Sequence, residues 1–419
     1  MQELTGAKRW FHEKRFGLFV HWGIYAVGAI HEQEQYRLHV PASKYEKYAE
    51  VFDPVKFDPA QWLDMAQETG MEYMVFTTKH HDGFCMWDTR ETDYNIMHTP
   101  YGKDVLGMLA EECHKRDFPL ELYYSCVDWH HPAYPNIGRH HEIITDPAHY
   151  DMDRYMDFVK RQIRELCTHY GTIHGIWWDM NVSEWMDPSL REMIESLQPS
   201  AVINNRGYGP GDFSTPERDF QEESKYPFAT PTEACESVGQ YSWGYRRDEA
   251  YFSVRRLERK LSLYTALGGN FLLNAGPDAT GCFPEKARSI LHRIGLWHKK
   301  TAAALTAKPC PGVVRLPGVL CTGEGRELNL ILLDPPPGES LCLRDLPAMP
   351  RRAVLLNSGE TIGLSNGPDT LPPAVTLQGL PADRMNDEIQ VIRLEFDEDV
   401  IRAADSTVYE DRSSAVAQG

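Results

Sequence analysis

Over roughly its first 300 residues the chain alternates short apolar segments with longer helical patterns, and this alternation constrains the fold more than any other feature. The apolar segments predict strands at residues 16–20, 73–77, 120–124, 173–178, 201–203 and 270–273. The helical patterns lie near residues 59–68, 104–116, 151–167, 188–197, 254–267 and 284–299. Alternation of this kind predicts a parallel sheet covered by helices. The length favours a closed (β/α)₈ barrel, which typically takes ~250 residues, over an open sheet.

An open sheet that binds a dinucleotide is excluded by the residues after the first predicted strand. Such a sheet carries a Gly-x-Gly-x-x-Gly loop at that point. Here the strand is followed by His21-Trp22-Gly23. The sequence therefore predicts no dinucleotide cofactor.

After about residue 305 the helical pattern stops, and Pro and Gly separate short β-type runs at residues 312–316, 327–333, 353–356 and 389–396. This texture predicts a small antiparallel β-sandwich domain. We therefore predict a catalytic barrel at 1–304, the β-sandwich at 305–403 and a disordered tail at 404–419. Residues 359–381 are rich in Pro and Gly, which predicts a loop.

Charge, hydropathy and cysteine content narrow the partners and the compartment. The 43 basic and 61 acidic residues give a net charge of −18, which disfavours binding to nucleic acid or anionic lipid. No apolar run approaches the ~20 residues of a membrane span. Nine cysteines, an odd number with no Cys-x-x-Cys spacing, predict free thiols in a reducing compartment. We therefore expect a cytoplasmic protein.

Polar and aromatic residues gather where the predicted barrel strands end, which is where barrel active sites lie. In chain order these groups are His21, His80-His81-Asp82, Tyr123-Tyr124-Ser125, Trp177-Trp178-Asp179 and Asn204-Asn205-Arg206. Aromatic faces pack against the C–H surfaces of a sugar, and histidine and arginine bind its hydroxyls. Two carboxylates in such a pocket suggest glycoside hydrolysis.

Simpler interpretations compete with a sugar site. Asp179 follows a strand, where aspartate often caps the next helix, but the two neighbouring tryptophans favour a pocket. His80 and His81 could be a metal pair, yet adjacent strand residues point to opposite faces and chelate poorly together. No zinc-binding spacing is present, so we predict no metal and no cofactor.

Six motifs resemble the α-L-fucosidases of glycoside hydrolase family 29 in collinear order across residues 8–300. They are His21-Trp22-Gly23, residues 77–88 with the His80-His81-Asp82 core, Tyr124-Ser125 with Asp128-Trp129-His130, residues 176–179, residues 242–248 and residues 272–278. The resemblance implies a retaining, two-step hydrolysis of terminal α-L-fucosides without a metal, with Asp179 as the nucleophile. The substrate-binding residues that it implies are His21, Glu34, His80, His81, Trp87, Tyr124, Trp177 and Arg206. Family members often self-associate, so a homo-oligomer is a further implication.

The acid/base varies in position within the family, and two glutamates are candidates. Glu217 lies eleven residues after Arg206, close to the spacing in several relatives. Glu233 lies ten residues before Trp243, and Thr232 replaces the tryptophan that relatives have beside the glutamate. We favour Glu217. Glu222 and Glu223 fit a solvated loop better.

One departure from the family concerns the segment after the first strand. The family usually shows Glu-Trp there, whereas this chain has Glu34-Gln35-Tyr36. Glu34 can still accept hydrogen bonds from sugar hydroxyls, and Tyr36 is the candidate to replace the tryptophan. Three rival hypotheses are a glycosidase for a related sugar such as an α-L-galactoside, a carbohydrate-binding barrel without activity, and a metal-dependent hydrolase.

Overall fold

The computed structural model describes residues 4–137, 142–181, 184–218, 227–314, 316–344, 346–367 and 374–403. The predicted tail at 404–419 lies outside the described residues, as do Glu222 and Glu223. The first sheet contains β1 Phe16–Val20, β2 Tyr73–Lys79, β3 Leu120–Ser125, β4 Gly175–Asp179, β5 Val202–Ile203, β6 Glu233–Ser237 and β7 Asn270–Asn274. Its order is β5-β4-β3-β2-β1-β7-β6, and all its neighbouring strands are parallel.

An irregular segment closes this sheet into a barrel. Phe213 forms a parallel bridge to Asn204, just after β5, while Ser214 and Glu217 form parallel bridges to Thr232 and Cys235 at β6. Residues 213–217 thus take the place of an eighth strand between β5 and β6. This confirms the predicted (β/α)₈-type architecture and leaves Glu217 at the end of the irregular strand.

The helices are α1 Trp10–Glu13, α2 Tyr25–Gly28, α3 Glu34–Arg37, α4 Ala42–Tyr45, α5 Pro59–Thr69, α6 Val105–Lys115, α7 Met152–His169, α8 Pro188–Leu197, α9 Val254–Ala266 and α10 Glu285–Leu305. Five of the longer helices begin where the side chain of an aspartate or serine accepts a first-turn N–H. These caps are Asp58, Asp104, Asp151, Asp187 and Ser253. None of the described helices is long and apolar enough to cross a membrane.

The C-terminal strands are β8 Val319–Glu324, β9 Glu327–Leu332, β10 Ser340–Arg344, β11 Arg352–Leu355, β12 Glu360–Asn366, β13 Ala374–Gln378 and β14 Gln390–Glu395. They form antiparallel pairs in the order β10-β13-β12-β11-β14-β9-β8. The first part of β12 pairs with β11 and the part from Gly363 on pairs with β13. A strand that changes partners in this way joins the two layers of a sandwich, as predicted.

Two local predictions in this domain are wrong. Residues 359–381 contain β12 and β13 rather than a loop, because the prolines of that stretch all lie outside the two strands. The described part of the predicted strand at 312–316 is a turn, and the strand begins later, at Val319.

The β-sandwich packs on the outer helices of the barrel. Leu320, Ile331 and Val391 belong to the same apolar core as α9 and α10. The Trp297 indole N–H donates to the carbonyl of Ile389 at 2.8 Å, and the Ile389 N–H donates to Glu258 at 3.0 Å. The sandwich therefore packs against the outside of the barrel. In the sequence it comes well after Asp179 and Glu217, which lie at the ends of barrel strands.

Candidate active site

Asp179 ends β4 and is the centre of the polar cluster at the mouth of the barrel. Its Oδ2 accepts a hydrogen bond of 2.7 Å from the Tyr123 hydroxyl, and its Oδ1 accepts one of 3.0 Å from Arg206 Nη1. His81 Nε2 lies 3.9 Å from Oδ2. Both carboxylate oxygens are therefore held in place by donors from the two neighbouring strand ends, since Tyr123 is on β3 and Arg206 follows β5.

Arg206 joins Asp179 to the second carboxylate. The same Nη1 lies 3.0 Å from Glu217 Oε2, while Nε and Nη2 donate to the hydroxyl and carbonyl oxygens of Thr215 at 2.6 and 2.8 Å. Because both carboxylates contact one nitrogen at 3.0 Å, the two contacting oxygens are at most about 6 Å apart. The Glu217 side chain is 28% exposed and that of Asp179 is 13% exposed. Glu217 is thus the more solvent-accessible member of the pair.

The surroundings of Asp179 favour its ionised form. Burial alone raises the pKa of this carboxyl, but the positive charge of Arg206, the nearby His81 and the Tyr123 hydrogen bond outweigh it and bring the pKa below its usual range. Burial alone lowers the pKa of Arg206, and the charges of Glu217 and Asp179 reverse this, so the guanidinium keeps its proton. Asp179 is therefore an anion at neutral pH, as a nucleophile requires.

Aromatic rings form the wall beside the two carboxylates. Trp177 stacks on Tyr123 with a centroid distance of 5.7 Å and an angle of 18°. The Arg206 guanidinium lies 4.7 Å from the Trp177 ring, within the range of a cation–π contact. The His80 ring is also parallel to that of Tyr123, at a centroid distance of 5.5 Å. The stacked rings therefore hold both the Arg206 cation and Tyr123, whose hydroxyl donates to Asp179.

The tautomer of His21 follows from the hydrogen bonds of Asn274. The Asn274 amide nitrogen donates to the Trp243 carbonyl and to the Ser237 hydroxyl, so its oxygen faces His21. That oxygen lies 2.8 Å from His21 Nδ1 and also accepts the backbone N–H of His21. Burial lowers the pKa of His21 to about 4, so the ring is neutral. Nδ1 therefore carries the proton, and Nε2 is left as an acceptor for a donor such as a sugar hydroxyl.

The hydrogen bonds of Ser125 fix His81 in the same way. The Ser125 hydroxyl donates to the carbonyl of Val127 at 2.7 Å, so it accepts from His81 Nδ1, which is also 2.7 Å away. Nε2 of His81 then points toward Asp179. His21, His80 and His81 are within one aromatic cluster, with His80 5.6 Å from His21 and 4.1 Å from His81 between ring centroids.

Glu233 is not at the mouth of the barrel, which corrects its prediction as a catalytic candidate. It is the first residue of β6, so its side chain lies at the opposite end of that strand from the active-site mouth. The carboxylate is fully buried and accepts hydrogen bonds from Tyr73 at 2.5 Å and from the Trp177 indole at 2.9 Å. Without access to substrate, Glu233 cannot be the acid/base.

Tyr124 and Trp87 are also outside the pocket, contrary to the predicted substrate-binding roles. Tyr124 faces α7, where its hydroxyl donates to Gln162 at 2.6 Å, because adjacent residues of a strand point to opposite faces. Trp87 is fully buried, and its indole donates to Glu165 of α7 at 3.3 Å. Both residues attach the barrel wall to this helix.

Glu34 is buried at the start of α3. Its side chain lies so close to Gly28 that no Cβ would fit there, and burial raises the pKa of the carboxyl while Tyr48 partly offsets the effect. These contacts do not test the contact of Glu34 with sugar hydroxyls, which stays a prediction. Tyr36, the predicted substitute for the missing tryptophan, stacks on Trp129 at 6.2 Å.

The sequence analysis names Tyr123 and Trp243 within motifs but gives them no role in the site, and it misses Glu32. Tyr123 pairs with Trp177 in register, so strand alternation from Asp179 was the signal that pointed to it. Glu32 accepts hydrogen bonds from the Ser242 hydroxyl and from the N–H groups of Trp243 and Gly244, and thereby holds that loop. The Trp243 ring lies 5.2 Å from His21 and 4.6 Å from the Arg218 guanidinium. No local pattern marks Glu32.

Among the described residues, no group of three or more histidine, cysteine, aspartate or glutamate side chains could hold a metal ion. The chemistry that the arrangement itself offers is that of a carboxylate held anionic beside a second, more exposed carboxyl group, within a wall of aromatic and hydrogen-bonding side chains.

Comparisons with known proteins show the family of the chain. The family model for alpha-L-fucosidase matches residues 2–303. The chain is 30% identical to the tissue alpha-L-fucosidase of Rattus norvegicus over 331 residues, which cover 71% of this chain and 70% of that protein. The fold is similar to that of alpha-L-fucosidase isoenzyme 1 from Paenibacillus thiaminolyticus, with a TM-score of 0.84, 31% identity and coverage of 93% and 98% of the two chains.

A third similar structure was solved with a reaction intermediate. It is a GH29 alpha-L-fucosidase from Bacteroides thetaiotaomicron, trapped as a covalent intermediate with 2-fluoro-fucosyl fluoride in a glutamate-to-glutamine mutant. The TM-score is 0.79 and the identity 25%, with coverage of 94% of this chain and 97% of that one.

Proposed function

The chain belongs to the α-L-fucosidase family and is a glycoside hydrolase, and from this premise we propose that it releases terminal α-L-fucosyl residues with retention of configuration. Asp179 is the nucleophile and Glu217 the acid/base. The observation that carries the proposal is the pair of contacts at Arg206 Nη1, which limits the two carboxylate oxygens to about 6 Å. Retaining pairs are ~5–5.5 Å apart, whereas inverting pairs leave ~6.5–9.5 Å for a water.

The first step forms a covalent ester. A carboxylate oxygen of Asp179 attacks the anomeric carbon, the bond to the leaving-group oxygen breaks, and Glu217 gives that oxygen its proton. The Tyr123 and Arg206 hydrogen bonds keep Asp179 anionic before the attack. Glu217 suits the acid role because it is the more exposed carboxyl, and the leaving group departs toward solvent.

The second step reverses the roles. Glu217, now a carboxylate, accepts a proton from water, and the oxygen of that water attacks the anomeric carbon. The ester bond to Asp179 then breaks and restores the carboxylate. Two inversions give a product with the configuration of the substrate. The trapped intermediate in the similar Bacteroides thetaiotaomicron enzyme supports this course.

Recognition of fucose is assigned to the groups around the pair. His21 offers its Nε2 as an acceptor, and His80 and His81 lie in the same aromatic cluster. Trp177 is buried, and its ring supports Tyr123 and the Arg206 guanidinium beside the carboxylate pair. The limited exposure of Asp179, at 13%, supports action on a terminal sugar that can enter the mouth of the barrel.

Proton NMR of the first-formed sugar tests the proposal. The enzyme is mixed with 4-nitrophenyl α-L-fucoside, with the β-L-fucoside and α-L-galactoside as parallel substrates. We expect turnover of the α-L-fucoside with α-L-fucose appearing before mutarotation. Initial β-L-fucose would show inversion and contradict the mechanism. Preference for the galactoside, which differs from fucose only at C6, would contradict the substrate.

The proposal includes a reducing compartment, the cytoplasm. All nine cysteines are free thiols, and seven of them are buried. Fractionation of cells that express the full-length protein tests this, since recovery outside the cytoplasmic fraction would contradict it.

A further inference from the structure

We propose that Glu233, buried beneath the active site, is a positioning residue that accepts the indole N–H of Trp177 and thereby fixes the stacked assembly that holds Asp179. The inference extends the proposed function, because the reaction that it serves is the one assigned to Asp179. Glu233 touches neither the substrate nor the reacting atoms, and acts only through Trp177.

The contacts of Glu233 leave little freedom to the side chains above it. Oε1 accepts the Trp177 indole N–H at 2.9 Å, and Oε2 accepts the Tyr73 hydroxyl at 2.5 Å. Trp177 and Tyr73 are themselves buried in the apolar barrel interior. An indole N–H in such a place needs an acceptor, since an unpaired buried donor costs roughly 1–3 kcal/mol. Glu233 therefore selects one orientation of the ring.

The orientation of Trp177 reaches the nucleophile by two routes. Its ring stacks on Tyr123, whose hydroxyl donates to Asp179 at 2.7 Å. The same ring packs against Arg206, which donates to both Asp179 and Glu217. A tilt of Trp177 would therefore move both donors of Asp179. Misplacement of reacting groups by about 1 Å can cost ~100-fold in rate.

A second buried carboxyl, Glu121 on β3, faces this assembly. Neither of its oxygens has a hydrogen-bond partner among the described residues, and it fills the space where a Cβ of Gly175 would lie, 2.5 Å from Oε2. Two carboxyls that interact inside a barrel do not ionise together. Glu121 therefore gives a comparison within the same layer, namely a buried glutamate that does not receive the Trp177 N–H.

The charges around Glu233 favour Glu121 as the holder of the shared proton. Burial raises the pKa of Glu121 well above its usual range, and the charge of Glu233 raises it further. Burial also raises the pKa of Glu233, to about 7, against the opposing effects of the Tyr73 and Trp177 hydrogen bonds and of Arg206. The thiol of Cys235 also faces the pair, and burial raises its pKa so that it stays neutral. Glu233 is thus the member whose oxygens remain available as acceptors.

The first test compares two leucine substitutions in the same layer. We expect Glu233→Leu to lower kcat on 4-nitrophenyl α-L-fucoside roughly tenfold to a hundredfold, with a smaller change in KM. Glu121→Leu should keep kcat within about twofold, because it replaces a neutral group that has no partner. Glu233→Gln keeps an acceptor for the indole and should recover most of the activity. Equal losses in both leucine variants, or none, would overturn the proposal.

The second test remains decisive if Glu233→Leu does not fold, and it does not depend on activity. The indole ¹H–¹⁵N signal of Trp177 is assigned by its disappearance in Trp177→Phe. We expect this signal to shift in Glu233→Gln, where a neutral amide replaces the acceptor, and to stay near its place in Glu121→Gln. An unmoved signal in Glu233→Gln would overturn the positioning role even in a fully active fucosidase. Absent activity in the native chain would instead contradict the proposed function.

Discussion

Two pairs of carboxyl groups lie at different depths of the same barrel, and their surroundings give them opposite properties. The upper pair, Asp179 and Glu217, shares the guanidinium of Arg206 at the mouth. The lower pair, Glu121 and Glu233, is fully buried. Glu233 accepts hydrogen bonds from two neutral donors, and Glu121 has no hydrogen-bond partner among the described residues. The pKa of Asp179 is lowered, chiefly by Arg206 against the effect of burial, whereas burial raises that of Glu233 to about 7.

The comparison shows that position along the strand decides what a barrel carboxyl can do. Asp179 is the last residue of β4 and Glu217 ends the irregular strand, whereas Glu233 begins β6. The active residues of such barrels lie at the C-terminal ends of strands. The upper pair can therefore meet a substrate, and the lower pair can only support the residues that do.

The largest expected effect is at Asp179. We predict that Asp179→Asn and Asp179→Ala lower kcat/KM on 4-nitrophenyl α-L-fucoside by on the order of 10⁴-fold or more, because each removes the nucleophile. Thermal unfolding should show a folded protein. The control, Asp187→Asn, keeps an N-cap residue on α8 and loses only the ion pair with Lys160, so it should stay active. Activity close to that of the native chain in both Asp179 variants would contradict the role of Asp179 as the nucleophile.

Glu217→Ala should have the next largest effect, and one that depends on the leaving group. We predict losses of roughly 10²–10⁴-fold on alkyl fucosides and smaller losses on 4-nitrophenyl fucoside, which needs less help from an acid. Azide should restore turnover and give the α-L-fucosyl azide, since it can enter the space that the carboxylate leaves. Glu233→Gln should show no such rescue. Rescue in the Glu233 variant alone would assign the acid/base role to Glu233 instead of Glu217.

Tyr123→Phe should have a smaller effect and shift the pH profile. The change removes a hydrogen bond that stabilises ionised Asp179, so the pKa of Asp179 rises and the acidic limb of kcat/KM moves to higher pH. We expect a loss of roughly tenfold near neutral pH. The neighbouring variant Tyr124→Phe loses a bond to Gln162 on the outer face and should leave the acidic limb in place. Identical profiles for the two variants would contradict the assignment of Tyr123.

The smallest expected effect is on stability, in the lower pair. The folded-state pKa of Glu233 is about 7, above the ~4.3 of a free glutamate, so between these values the folded chain holds the extra proton. Stability therefore falls as pH rises through that window. Glu233→Gln removes the titrating group, and its Tm relative to the native chain should increase from about pH 5 to about pH 8. A Glu233→Gln curve that runs parallel to that of the native chain would contradict the shifted pKa of Glu233.

Most of the barrel was predictable because its strands are apolar segments between well-capped helices. The strand β6 was not, since its sequence Glu-Ala-Cys-Glu-Ser carries buried polar groups, among them Glu233, whose two oxygens accept interior hydrogen bonds. The irregular strand at 213–217 has no β-type pattern either. These two segments carry Glu233 and Glu217, which explains why spacing alone could rank the two glutamates but could not separate them by depth.

The site was predictable where strand alternation applies and less so in loops. Asp179, Trp177 and Arg206 follow directly from the ends of β4 and β5. Tyr123 rather than Tyr124 follows from the register of β3 against β4, once alternation is applied from Asp179. Glu34 and Glu32 lie in a segment without periodicity, where only the tertiary contacts show that Glu32 binds the Ser242–Gly244 loop.

The central claim, that the upper pair performs the covalent chemistry, is tested most directly by labelling. Glu217→Gln is treated with 2-fluoro-fucosyl fluoride, digested and sequenced by mass spectrometry, with Asp179→Asn treated in parallel. The account predicts one fucosyl adduct, on Asp179, and none in the Asp179→Asn protein. An adduct on Glu233 or on any other residue would contradict it.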